Sequence, residues 1–201
     1  RKDRRRNPAL PFDGEGWLMA IQSLTMSGTS AWGALVAILQ AQMNVGTIAG
    51  IPTLRAGTNP TGKLQGVKAV GKSSFPDFAA LPFVGVQLER SRQDVYSAPR
   101  GFKVHHDFTI SVVVEVEAAG DAIISLDDGM AALQAILDDG AGNGVYPILM
   151  TRANFSLGGI TYESMVTEIS YSWDRSPAGK GQNYVAFAAI KYEASTVTRG
   201  D

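Results

Sequence analysis

From Phe102 to Glu117 the chain alternates: Phe102, Val104, His106, Phe108, Ile110, Val112, Val114 and Val116 fall on one parity. Lys103, His105, Asp107, Thr109, Ser111, Val113, Glu115 and Glu117 fall on the other. Successive side chains of a strand point to opposite faces, so this is a strand with one buried and one largely polar face. At about 3.3 Å per residue it spans roughly 50 Å, far beyond a common strand of about 5 to 6 residues. Part of a strand that long is expected to leave the domain body or to bend at a bulge, and Leu81 to Arg90 is its expected partner, with Ser91 to Gly101 as the connection.

Before that sheet the pattern is helical. Trp17 to Met26 and Ser30 to Val45 read as two helices, the second with Ala31, Leu35, Ile38, Leu39 and Gln42 at three-four spacing and Ser30 as its N-cap. After it, Ser125 caps a helix that carries Met130, Leu133, Ile136 and Leu137 on one face and stops at Gly140. Then come strands at Val145 to Leu157, Ile160 to Trp173 and Tyr184 to Glu193, the first two joined by a Gly158-Gly159 turn. The expected fold class is α+β: a mostly antiparallel sheet with helices packed on one face, in a single domain over residues 17–195. Residues 1–16, RKDRRRNPALPFDGEG, read as a basic extended arm that cannot bury a core of its own, residues 46–80 as a long loop, and residues 196–201 as a flexible tail.

Composition narrows the chemistry. The 201 residues include no cysteine and two histidines, which excludes disulfides, thiolate nucleophiles and cysteine-bound zinc. His105 and His106 are neighbours on a strand and point apart, so they cannot share a metal; Asp107 shares a face with His105 and is placed to orient its ring. No serine elbow or matched acid pair accompanies them, and the expectation is neither enzyme nor cofactor. No apolar run reaches the roughly 20 residues of a membrane span.

Gly66-Val67-Lys68-Ala69-Val70-Gly71-Lys72-Ser73 fits the phosphate-loop expression letter for letter. Its flanks do not: TNPTGKLQ precedes it where a buried strand is required, and Pro76 follows where a helix should begin. A basic loop meeting a neighbour is the expectation, with nucleotide binding a remote alternative.

Charge is uneven although the net is −1. Residues 1–103 hold 13 Lys/Arg against 6 Asp/Glu, residues 104–151 hold 8 acids and no Lys or Arg, and the rest balance 5 against 5. Such polarity suits a subunit that meets copies of itself. Candidate interface residues are Arg4, Arg5 and Arg6 in the arm, Lys63, Lys68 and Lys72 in the loop, and Arg90, Arg92, Arg100 and His105 around the strands. To these the pairs Asp127-Asp128 and Asp138-Asp139 add an acidic surface at either end of the helix. Only the first of those pairs lies where the helix dipole favours carboxylates.

A helix reading AWGALVAILQAQ is followed by LPFVGVQLERSRQDVYSAPRGFKVHHDFTISVVVEVEA, then by a helix reading SLDDGMAALQAILDD and closing strands. In this organisation, over residues 30–195, the chain resembles the tail-terminator, or tail-completion, proteins of tailed bacteriophages. The resemblance implies a small α+β unit of which six copies form a ring that caps the tail tube and joins it to the head. It further implies contacts of the long strand and the 46–80 loop with neighbouring subunits, with a tail-tube protein and with a head-tail connector or neck protein. Genomic DNA would pass without sequence-specific binding, and the chain would reside in the virion after assembly in the host cytoplasm. A tail-tube or other connector subunit is the alternative, and no active site is carried over.

Overall fold

The computed structural model describes residues 14–43, 54–55, 61–64, 66–72, 81–94, 101–116, 122–154, 156–157, 163–175 and 184–199. The chain runs α1 (Gly14–Ala41), β1 (Leu54–Arg55), β2 (Ala69–Gly71), β3 (Phe83–Gln93), β4 (Gly101–Val116), α2 (Ala122–Leu137), α3 (Val145–Met150), a 3-10 turn (Arg152–Asn154), β5 (Glu163–Arg175) and β6 (Tyr184–Arg199). One six-stranded sheet has the order β1-β2-β3-β4-β6-β5, and every pairing is antiparallel except β2 with β3. The fold is α+β, as the alternation and the helical stretches imply.

β4 is the axis of the sheet. It pairs with β6 from Gly101–Arg199 to Val116–Tyr184, and with β3 from Phe83–Val113 to Gln93–Val104. Its even positions Val104 to Val114 are buried, together with Val84 and Val86 of β3 and Ala188, Ile190 and Tyr192 of β6. Onto this face α1 presents Ala31, Leu35 and Leu39, with Met43 just past its end, α2 presents Leu133, Ile136 and Leu137, and α3 presents Ile148 and Leu149. Each fully buried aliphatic side chain contributes about 1.5–3 kcal/mol, so the one-sided helical layer is what holds the sheet in place. A smaller apolar group, Phe83, Val113 and Val185 with Leu81 and Ala69, covers one end of the opposite face. No helix among the described residues is long and apolar enough to cross a membrane.

Several local expectations are corrected. The two N-terminal helices are one, and Ser30 lies inside it instead of capping it. The Ser27-Gly28-Thr29 stretch looks like a break, but packing overrides propensity there. Gly28 sits where α1 presses against the sheet: a Cβ at this position would lie 2.8 Å from Ser91 Oγ and 3.2 Å from Leu88 Cδ2. Helix α1 begins at Gly14, so the arm reaches at most to residue 13, outside the described residues. Ser125 likewise falls within α2 and not before it.

Val145 to Leu157 forms no strand; it folds as α3 and the 3-10 turn. Pro147 accounts for this, since proline is excluded from a central strand yet tolerated in the first turn of a helix, where its missing N–H has no partner to lose. The Gly158-Gly159 turn lies outside the described residues. β6 continues to Arg199, so residues 196–199 are strand and not tail. The 46–80 stretch is not structureless either, because it contributes β1, β2 and a parallel bridge between Met43 and Leu64.

Candidate assembly surface

The face of the sheet away from the helices carries a charged ladder, placed there by register. A bulge between Leu88 and Arg90 shifts β3 by one residue, so that Arg90 comes opposite Asp107 and Arg92 opposite His105. On the other flank of β4, Glu193 of β6 comes opposite Asp107 and Ser195 opposite His105. Arg90 pairs with Asp107, and Arg92 reaches Glu193 at 3.2 Å and Asp107 at 3.9 Å. His105 bonds Glu193 through Nδ1 and Asp94 at 3.0 Å through Nε2. Further along, Lys103 pairs with Glu163 at 3.5 Å and Lys191 Nζ donates to Thr109 Oγ1 at 2.6 Å.

The ladder therefore ties β3, β4, β6 and β5 together across the open face. It lines a shallow depression of about 540 Å³ bounded by Glu89, Arg90, Arg92, Asp107, Lys191 and Glu193. The Arg90 guanidinium is held above its ordinary value, first by its hydrogen bond to Asp107 and then by that carboxylate's charge. With the Arg90 and Arg92 side chains 66% and 52% exposed, solvent screens each pair and none contributes much to folding on its own.

Of the candidate residues, Arg90, Arg92 and His105 are brought together here. The orienting role expected of Asp107 goes instead to Asp94 and Glu193. Lys63, Lys68 and Lys72 lie elsewhere, around β1 and β2. The Lys68 N–H donates to Pro82 O at 2.8 Å, and Lys72 Nζ stands 4.9 Å from the centre of the Trp32 ring, a cation–π contact. Residues 69–71 of the phosphate-loop match form β2 between β1 and β3, and Val67, Ala69 and Val70 are fully buried. Backbone engaged in a sheet in this way does not form the open cradle of N–H groups that a phosphate requires.

Asp127 and Asp128 are exposed in the second turn of α2, beyond the first turn where the dipole acts most strongly. The Asp138-Asp139 pair has a local task. Asp138 Oδ1 accepts from the Gly140 N–H, and Asp139 accepts from the N–H groups of Ala141 and Asn143 and from Asn143 Nδ2. These bonds, the side-chain one from Asn143 first, hold the Asp139 carboxyl below its ordinary value. The loop closes on Gly144, whose φ is 116° and where a Cβ would lie only 2.5 Å from Leu137 O, so no larger residue fits. Arg4, Arg5, Arg6 and Arg100 lie outside the described residues.

Two features were not anticipated from the sequence. One is the acidic half of the ladder, Asp94 and Glu193, which only long-range pairing brings to His105. The other is β5 as the sheet's edge, with Tyr171 48% and Trp173 57% exposed on the helix-facing side and Met165 47% exposed on the other. The strict alternation of Ile169, Tyr171 and Trp173 with serines is the signal that marks it. Among the described residues no group of three or more His, Asp or Glu is placed to hold a metal ion.

The chain matches no protein-family model and no curated protein.

Proposed function

We propose that this chain is a structural subunit that assembles with copies of itself into a ring at the end of a bacteriophage tail tube, ending tube growth and joining tail to head. The observation that carries the reading is a sheet that, among the described residues, is covered by helices on one face, while its other face is laced with charge and its edge strand β5 exposes Tyr171 and Trp173. Surface of this kind recognises other protein surfaces, since charge steers and registers an encounter while exposed aromatics supply the area that is buried. The resemblance of the helix, long strands, helix and closing strands to tail-terminator proteins supports a place in the virion. By that resemblance the ring has six copies, contacts the tail-tube protein and a head-tail connector or neck protein, and lets genomic DNA pass without reading its sequence.

Native mass measured by light scattering over a range of salt concentrations tests the reading. A closed oligomer that weakens as salt rises supports it. Open-ended polymers point instead to a tail-tube subunit, and a monomer insensitive to salt and concentration overturns it.

A further inference from the structure

We propose that neighbouring copies join edge to edge, the outer edge of β5 in one copy pairing antiparallel with the outer edge of β3, from Val86 to Gln93, in the next. The proposal rests on the ring reading and says which surfaces close the ring.

Topology comes first. β3, β4, β6 and β5 are successive antiparallel neighbours, so β5 runs opposite to β3. A second copy set beside the first in the same orientation, helices on the same side, brings its β3 antiparallel to that β5. The alternation simply continues. Because the two surfaces differ, the contact is head-to-tail, and repeating it closes a ring when the rotation permits.

Both edges are available. β2 pairs with β3 only at Phe83, Val84 and Gly85, and among the described residues no strand pairs with β3 beyond them on that side. The run from Val86 to Gln93 offers about 26 Å of backbone. Among the described residues no strand pairs with the outer side of β5. Edge strands usually carry lysine or proline to prevent such pairing, and Ile169 to Trp173 carries neither.

The charges match. β3 holds Arg90 and Arg92 against Glu89, a net of +1, while β5 holds Glu163, Glu168 and Asp174 against Arg175, a net of −2. By register, Arg90, Arg92, Glu168 and Asp174 all belong to the open face. Each guanidinium has five N–H donors and engages only one or two carboxylates within its own chain, so a further carboxylate across the contact can be accommodated. On the opposite side, Tyr171 and Trp173 would lie toward the layer that holds the next copy's α1. Two half-exposed rings supply on the order of 200 Å². That is short of the roughly 800 Å² per partner of a stable pair, so a single contact is weak and closure of the ring is what makes the assembly persist.

A charge swap tests this. Glu168→Lys with Asp174→Lys turns the open face of β5 positive, and Arg90→Glu with Arg92→Glu turns that of β3 negative. Each double variant, checked for native circular dichroism, should lose assembly at least tenfold in concentration, and an equal mixture of the two should restore the wild-type native mass. Should the β3 variant fail to fold, Arg90→Gln with Arg92→Gln replaces it and must weaken assembly alone. If the folded β3 variant keeps the wild-type mass, or the folded mixture gives no recovery, the edge assignment is wrong while the ring reading stands. A wild-type chain that never assembles overturns both.

Discussion

Ser91 Oγ lies 2.8 Å from His106 Nδ1, across β3 and β4 and directly beneath Gly28 of α1. His106 Nε2 meets Thr196 Oγ1 at 3.1 Å on the other side, so a fully buried imidazole sits between two hydroxyls under the helix. Burial is the main cause that lowers the His106 pKa from 6.5; His105 adds to this, and Asp107 opposes it. The folded state then binds fewer protons than the unfolded state, so stability is lost as pH falls below 6.5 toward the depressed folded value. The melting temperature should fall between pH 7 and pH 5.5, and His106→Gln should flatten that slope. An equal slope in the variant would show that another group titrates.

Gly28→Leu should be among the most damaging substitutions in α1. Its side chain would have to displace Ser91, Leu88 and His106, and overpacking of this kind costs about 1–3 kcal/mol. For a chain of this size that corresponds to a fall of roughly 2–4 °C per kcal/mol in a thermal scan.

Val112→Asp should prevent folding. Val112 is fully exposed to neither solvent nor a polar partner: it is 0% accessible, between Val84 and Ala188, and an unpaired charge there costs several kcal/mol. Recovery of the variant as a soluble chain with native circular dichroism would contradict the assignment of faces.

Asp139→Ala should loosen the 138–144 loop. A carboxylate with a depressed folded pKa stabilises above its unfolded value of 3.8 and loses that effect as pH falls through the folded value. The gap in melting temperature between wild type and variant should be complete at pH 7 and should narrow below pH 3.8.

Trp173→Ser should separate folding from assembly. The ring is more than half exposed, so the monomer should change by no more than about 0.5 kcal/mol, while self-association weakens measurably in sedimentation. A large loss of monomer stability would place Trp173 in the core instead.

β4 was legible because sixteen alternating residues leave only one way to bury an apolar face, and α2 because Met130, Leu133, Ile136 and Leu137 repeat with the helical period. α3 was misread because a short apolar run has no period of its own, and Pro147 was the clue to weigh. β2 has three residues and takes its stability from β3, so nothing local announces it. Arg90 and His105 stood out as charges on expected strands, while Arg92 falls in the expected connection, which β3 instead overruns as far as Gln93. Their partner Glu193 is 88 residues from His105, and a bulge at Glu89 decides which residues meet, a choice made by the register of the whole sheet.

Residues 61–64 form a small stitch. The Leu64 N–H reaches the Gln42 carbonyl at 2.9 Å, and the Lys63 carbonyl accepts the Gly144 N–H at 2.9 Å. The stitch joins the end of α1 to the loop that leads into α3, two places about a hundred residues apart in the chain. It can close only after both have arrived, so it belongs among the late events of folding. In a hydrogen-exchange experiment its amides should open together with that loop, well before those of β4, and any partner that grips the loop would tighten α1 from a distance.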